Sequence, residues 1–569
     1  MILIVTGHLA APTIKKIAKS SKKDVMVHIA NTQVAAFLTP KKIIKELKEN
    51  FKGNLNEIEK IIVPGLMKKP TTEISESLKI PCFKGPIQGA DLDMVLDLDE
   101  TIELSQIKPA DRLIEEAKRN LVFKLIEDFE KNEEKIVELL KKPDNILIRD
   151  LPVGEDFPIR ILCEITNAPL LSKEELIFKA KYFLDNGADM IDIGMVAGEN
   201  MSHLIPDLIK TLRTVVGNKP LSIDSLNPKE INVAIDNDID LVLSLDLGNY
   251  EEILPKLIDK DIPAVLLPTN FKENKVPTGV EDRLIAIEEL MEKCEGIAIL
   301  GDIILDPVNS KSIVDSIIAA KKFKDKHPNP LFFGVGNVTE LMDVDSTGVN
   351  SLITGIAMEL KASVLFTPDE SGKTWNSVYE LAISSKMMFL SKNRGTIPKN
   401  LGIDLITFKD KKKLSFDKTI EYKALNNEIN NGTETGNYEK ENDDKNNDKT
   451  KKIIGRNGEN LNVPVYSAEK NPKFKKDQLG SFKIRVEHGT RYDKSKIVVT
   501  HYVKTIPNLI IEGTSAKKIF NEIIERGLIS KLEHGAYLGV ELNKAEIAIL
   551  FSKDYIQDFE LFKKPLIIN

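Results

Sequence analysis

Eight short apolar runs recur between Arg160 and Pro368, each followed by a turn and a helix-like segment. This repeat limits the possible folds more than any other feature. The runs span 161–166, 190–194, 221–224, 241–245, 264–268, 302–306, 331–335 and 363–367. Helical patterns lie between them at 173–186, 205–216, 228–237, 280–292 and 310–326. Several runs are continuously hydrophobic, as parallel strands covered on both faces must be. Eight β/α units in roughly 210 residues predict a closed barrel. A doubly wound sheet is the rival, but it needs a Gly-rich first turn, which Thr166-Asn167-Ala168-Pro169 is not.

A chain of 569 residues exceeds one core, so flanking domains are expected. The fold class is therefore α/β: a central (β/α)8 TIM barrel over 158–410, an N-terminal α/β domain over 1–150 and a small C-terminal α+β domain over 456–569. Strands are expected at 1–6, 25–29 and 60–63, helices at 12–20 and 41–50, and one long helical connection over 110–142. Residues 420–455 are Asn, Glu, Asp, Lys, Gly and Thr with few apolar residues, the composition of a disordered linker. In the tail, strands are expected at 481–486, 497–499 and 509–511, with two helices after them.

The hydrophobic fraction is 42% and the charged fraction 29%, as in soluble globular proteins. A net charge of −7 argues against a general nucleic-acid binder. No apolar run reaches membrane-spanning length. Cys82, Cys163 and Cys294 show no metal-ligand spacing and read as reduced, buried thiols of a cytoplasmic protein. Thr6-Gly7-His8 before Pro12 is a turn able to receive an anion, yet no phosphate fingerprint is present. His534, Tyr537 and Glu541 share a helix face, more simply explained by packing than by ligand binding.

Catalytic groups of such barrels lie at the carboxyl ends of the strands. Those ends supply Glu164, Thr166 and Asn167, then Asp192, Asp224, Ser244 with Asp246, Thr269, Asp306, Asn337 and Asp369. A ring of carboxylates, amides and hydroxyls almost free of cations would repel a phosphorylated sugar. It suits a metal or a ligand rich in N–H donors. A single Asp in this position is ordinarily a helix cap. Three at equivalent ends (Asp192, Asp224, Asp306) point to a shared ligand.

Four stretches then carry a resemblance: Ile165-Thr166, Gly187-Ala188-Asp189-Met190-Ile191-Asp192-Ile193-Gly194, Leu221-Ser222-Ile223-Asp224-Ser225 and Ile303-Ile304-Leu305-Asp306-Pro307. Over about 160–400 they resemble the pterin-binding family, the dihydropteroate synthases and methyltetrahydrofolate-type methyltransferases. The resemblance implies that Asp224 and Asp306 hold the pterin, with Asp192, Thr166 and Ser244 beside it. It implies Mg²⁺ on Glu164 and Asn167, Glu164 standing where the synthases carry a metal-binding Asn. The synthase strand-four Asn falls at Leu243. The synthase cations at strands seven and eight are replaced by Gly334-Val335-Gly336-Asn337-Val338 and Phe366-Thr367-Pro368, leaving Lys84 or Arg394 as substitutes. Gly334-Val335-Gly336-Asn337 is similar instead to the methyltransferase strand end, whose Asn meets pterin N5, which makes Asn337 the candidate catalytic residue. The C-terminal tail resembles modules attached to methyl-transfer proteins of methanogenic archaea.

Three functions follow as expectations. The first is a synthase-like transferase joining a dihydropterin methyl diphosphate to an arylamine in folate or tetrahydromethanopterin synthesis. The second is a methyltransferase using a methylated reduced pterin, and the third a non-catalytic pterin-binding subunit. The expected partners are the pterin, a second copy of the chain and, for methyl transfer, a corrinoid protein.

Overall fold

Ile2–Thr6 (β1) is apolar almost throughout and becomes the buried centre of a four-stranded parallel sheet. Its neighbours are Val25–Ile29 (β2), Lys60–Val63 (β3) and Cys82–Lys84 (β4), in the order β2-β1-β3-β4. Parallel neighbours require crossovers, supplied here by the helices Ala11–Ser20, Pro40–Glu49 and Thr72–Leu78. Proline opens the second of these, and Thr39 Oγ1 caps it by accepting from Lys42 N. The computed structural model describes residues 1–87, 89–98, 102–408, 449–454, 460–465 and 477–562.

The expected long connection is two helices, Glu115–Glu130 and Glu133–Leu139. Asn132 ends the run by capping the second, its side chain accepting from Lys135 N at 3.0 Å. An antiparallel hairpin follows, Asn145–Ile148 (β5) and Leu151–Gly154 (β6), turning at Arg149 with φ +52°. It crosses the expected domain boundary at 150, because its apolar side chains belong to the barrel.

The barrel strands are Arg160–Ile165 (β7), Met190–Gly194 (β8), Leu221–Asp224 (β9), Leu241–Leu245 (β10), Ala264–Leu266 (β11), Ile299–Asp302 (β12), Leu331–Gly334 (β13) and Ala362–Thr367 (β14). All neighbours are parallel, and β14 pairs with β7 to close the ring. The sixth strand thus precedes its expected place at 302–306. The apolar stretch from Ile297 to Leu305 is nearly unbroken, and pairing to Ala264–Leu266 selects its first half.

Alternation sorts each strand into two faces. Ile161, Cys163, Ile191, Ile193, Leu221, Ile223, Val242 and Leu365 face the surrounding helices in the largest apolar cluster. Leu162, Met190, Leu241, Leu243, Val265, Leu300, Phe332 and Val364 fill the interior together with Ile148 and Val153 of the hairpin. The interior is a packed plug, not a pore.

The N-terminal sheet, the connecting helices and the barrel form one compact unit, Met1–Leu405. Val122 and Ile126 of the connection pack with Phe389 and Leu390 of the helix Ser377–Arg394. Arg160 Nη1 also meets Glu130 Oε1 at 2.6 Å. The second unit, Ile406–Asn569, contains the antiparallel pair Lys449–Ile454 (β15) and Asn460–Val465 (β16). A three-stranded antiparallel sheet follows: Ser481–Glu487 (β17), Lys496–Val503 (β18) and Ile506–Gly513 (β19). The helices Ala516–Glu525 and Leu532–Leu550 contribute Ile519, Ile523, Leu538 and Leu542 to its apolar cluster. Of the expected linker 420–455, residues 449–454 are strand, and the rest lies outside the described residues.

Ile148 is fully buried against the barrel interior. Ile148→Ala is expected to destabilise the first unit by about 2–5 kcal/mol, read as a lowered urea midpoint at unchanged slope.

Candidate functional site

The inward parity that buries Leu162 and Met190 also carries Glu164 and Asp192 inward, two residues further along each strand. Glu164 pairs with Asp192 in register, Asp192 with Ser222, and Gly194 with Asp224. Strand geometry therefore stacks three acids above the apolar plug at the carboxyl end. Carboxylate oxygens of Glu164, Asp192 and Asp224 all lie within 4.8 Å of one another. Asp302, the last residue of β12, holds the inward parity set by Leu300.

Glycine makes the packing possible. A Cβ built on Gly194 would lie 2.2 Å from Glu164 Oε1, so the carboxylate rests against a bare backbone. Ser222 Oγ donates to Asp192 Oδ1. Asp192 Oδ2 is buried with no hydrogen-bond partner among the described residues. A buried carboxylate oxygen left unpaired beside two further acids is strongly unfavourable unless protonated or liganded.

The acids titrate accordingly. Burial, with the charges of Asp224 and Glu370 adding, pushes Glu164 up to about 8. Burial and then the Asp224 and Glu164 charges raise Asp192 well above the carboxylate range. Burial takes Asp224 to about 6. Asp302 reaches about 7, burial being the larger cause and the Asp224 charge contributing. Asp302 Oδ1 also accepts from Ile304 N at 2.8 Å, holding the turn in which Ile304 takes φ +63°.

The other expected site residues fall around this layer. Asp224 caps no helix; Asn227 does that, its side chain accepting from Lys229 N. Thr166 Oγ1 donates to Glu370 Oε2 at 2.9 Å, and Glu370 is ion-paired to Lys179. Asn167 is exposed in a left-handed turn. The acids gathered with Glu164 are Asp192 and Asp224, and Asn167 lies outside that group. Ser244 is buried; its carbonyl accepts from Asn249 Nδ2 at 3.0 Å. Asp306 lies past the strand end, one oxygen bound by the fully buried Arg283. Arg283 also donates to the Ile303 and Ile304 carbonyls, while Asp306 Oδ1 has no protein partner among the described residues. Asn337 is exposed in the short helix Gly336–Thr339 after β13, its Nδ2 donating to the Leu305 carbonyl at 3.1 Å.

Several residues in the strand-end ring have structural roles. Asp246 accepts from Gly248 N, Thr269 Oγ1 and Phe271 N, and Asp369 from Tyr182 and the start of the helix Ser377–Arg394. Neither proposed substitute cation serves the site. Lys84 is buried in β4 and donates to the Met67 carbonyl at 2.7 Å. Arg394 ends its helix two residues beyond Lys392, which donates to the Glu155 carbonyl at the amino end of the barrel. In the second unit, His534 Nδ1 lies 3.2 Å from Asp477 Oδ2, and Glu541 accepts from Tyr555; both pack the domain.

Asp302, Ser222 and Arg283 were missed from the sequence. Counting the parity of β12 from Leu300 would have found Asp302. Nothing local marks Arg283, which is brought to Asp306 by tertiary packing.

A family model described as Pterin binding enzyme matches residues 166–344. PterinBD-DUF4346 matches residues 476–558, and a Family of unknown function (DUF6513) matches 1–87. The uncharacterized protein MJ0107 of Methanocaldococcus jannaschii is 40% identical over 571 residues, covering 99% of both chains. Among solved structures, Xanthomonas albilineans dihydropteroate synthase in complex with indole-2-carboxylic acid and 6-chloroguanine is 16% identical. It covers 43% of this chain and 96% of its own, with TM-score 0.36. The Yersinia pestis dihydropteroate synthase with a sulfonamide drug complex is 15% identical over 44% of this chain and 99% of that chain, with TM-score 0.36.

Two outcomes are expected. Gly194→Ala changes stability little, because only a flexible side-chain end meets the new methyl, yet it displaces Glu164, so that any Mg²⁺ or Mn²⁺ taken up by the three acids is held at least about tenfold more weakly by calorimetry. The second concerns pH. The four acids titrate above their unfolded values, so between about pH 4 and the value near 8 for Glu164 the native state binds more protons than the unfolded one. Stability falls as pH rises through that window. Glu164→Gln flattens the fall, measured by urea denaturation between pH 5 and pH 9.

Proposed function

Because the chain belongs to the same family as the Methanocaldococcus jannaschii protein, and its barrel is pterin-binding and dihydropteroate synthase-like, we propose that its carboxyl end joins a dihydropterin methyl diphosphate to an arylamine. The observation that carries this reading is the inward layer of Glu164, Asp192 and Asp224, with an unpaired buried oxygen at its centre. A reduced pterin presents adjacent N–H groups on its amino-pyrimidinone edge, the complement of carboxylate oxygens. Asp224 and Asp302 accept these bonds on the β9 and β12 sides. Asp306, oriented by Arg283, offers its remaining oxygen. The apolar plug beneath excludes water from below.

In the reaction, the arylamine nitrogen bonds to the exocyclic methylene carbon of the pterin. The carbon–oxygen bond to the diphosphate breaks, and its electron pair leaves with the diphosphate. The nitrogen gives up one proton. Asp302, whose carboxyl burial pushes up to about 7, takes and returns that proton readily near neutral pH. Ser222 holds Asp192 in place.

The residues present also fit a divalent cation, since three carboxylate oxygens converge and one is otherwise unpaired. Glu164, Asp192 and Asp224 would hold Mg²⁺, which when bound supplies the positive charge that the departing diphosphate needs and the chain's strand ends lack. On this reading the protein serves folate or tetrahydromethanopterin synthesis in the cytoplasm.

Asn337 favours a second reading. Its exposed amide lies three residues past β13, and its oxygen has no protein partner among the described residues. A methyltransferase would use it to polarise N5 of a methylated reduced pterin, with a corrinoid protein accepting the methyl group.

The deciding experiment supplies Mg²⁺, dihydropterin methyl diphosphate and 4-aminobenzoate and follows pyrophosphate. Arylamine-dependent release is expected, with Asp224→Asn lowering kcat/KM about 10- to 100-fold. Saturable reduced-pterin binding without release would move the assignment to methyl transfer or to a binding subunit. Absence of both would overturn it.

A further inference from the structure

The order β2-β1-β3-β4 of the N-terminal sheet reverses direction at β1. The connection from β1 leaves toward β2 on one side, while β3 is laid down on the other. Connections that diverge in this way open a crevice at the carboxyl ends of the two central strands, the place where open parallel sheets take ligands. A cavity of about 260 Å³ occupies that crevice. Val5 and Thr6 of β1 and Ile62 and Val63 of β3 form its floor.

We propose that this crevice is a second ligand site, which takes a small, neutral, largely apolar molecule of one or two aromatic rings. Three observations carry it. Among the described residues no charged side chain lines the cavity, and Thr6 supplies the one side-chain hydroxyl. A charged group, or the N–H-rich edge of a pterin, would lose its water there without a partner, so the occupant differs in chemistry from the ligand of the barrel. The walls are built from small residues: Ala10 at the start of the helix Ala11–Ser20, Ala35 and Ala36 in the turn after β2, and Gly89. Protein interiors are otherwise filled to close packing, and one larger side chain at any of these positions would fill the space. The mouth is apolar too, with Leu9 71% and Leu66 49% exposed. Its volume lies just below the roughly 300–1,000 Å³ of pockets for drug-sized ligands, which sets the size of the occupant. The site is independent of the barrel reading, because none of its lining residues belongs to the barrel.

The test uses the full-length protein with indole as the probe, followed by calorimetry and saturation-transfer NMR. Saturable indole binding is expected, weakened at least tenfold by both Ala10→Phe and Ala36→Phe, which fill the cavity from different walls. Both variants are expected to keep the wild-type melting transition and the wild-type affinity of the barrel for reduced pterin. No saturable binding, or binding equal in the two variants and the wild type, overturns the proposal. So does a concentration-dependent dimer in sedimentation that Leu9→Ser dissolves while indole fails to bind, because the crevice then belongs to a second copy of the chain.

Discussion

Desolvation of carboxylates at the top of a closed barrel governs the rest of the site. Once β14 pairs with β7, inward side chains have no solvent behind them, and every inward acid must be protonated, paired or liganded. Glu164, Asp192, Asp224 and Asp302 are all subject to this condition, with little protein charge to neutralise them. Ser222 supplies one hydrogen bond, Gly194 the space, and Lys179 a cation across Glu370. The unpaired oxygen of Asp192 is the point where the fold leaves the condition unmet. A site that keeps such an arrangement is poised for a ligand carrying positive charge or several donors.

Asp306 solves the same problem differently. It stands just outside the strand and is satisfied by Arg283, itself fully buried, which also clamps the carbonyls of Ile303 and Ile304. A buried Arg with several fixed acceptors is a rigid support, and losing either partner would strand the other as an uncompensated charge. The clamp also fixes the turn in which Ile304 takes a left-handed conformation, so Asp302 and Asp306 are presented by one braced loop.

The rest of the first unit supports this layer. The hairpin β5–β6 closes the amino end with Ile148 and Val153, and the connecting helices tie it to the helix Ser377–Arg394 through Val122, Ile126 and Phe389. The N-terminal sheet repeats the parallel logic on a smaller scale and opens at its own strand ends into a cavity of opposite chemistry, apolar where the barrel mouth is acidic.

The amino-acid sequence by itself determined the barrel and most of its strands. The runs at Met190–Gly194, Leu221–Asp224 and Leu241–Leu245 coincide with the observed strands, because a continuous apolar run bounded by turn residues has few other folds. It also marked Asp192 and Asp224, which sit inside motifs shared with pterin-binding proteins. Tertiary structure decided the rest. The sixth strand shifted to Ile299–Asp302 because only pairing with β11 chooses among equally apolar residues, and that shift turned Asp302 inward and moved Asp306 off the strand. The meeting of Glu164 with Asp192 and Asp224 depends on which side chains face inward after closure, while the burial of Arg283 against Asp306 and the places of Lys84 and Arg394 away from the site depend on how helices and the N-terminal sheet pack. Local sequence specifies a strand's alternation but not its phase relative to a centre, and that centre exists only when the eighth strand meets the first.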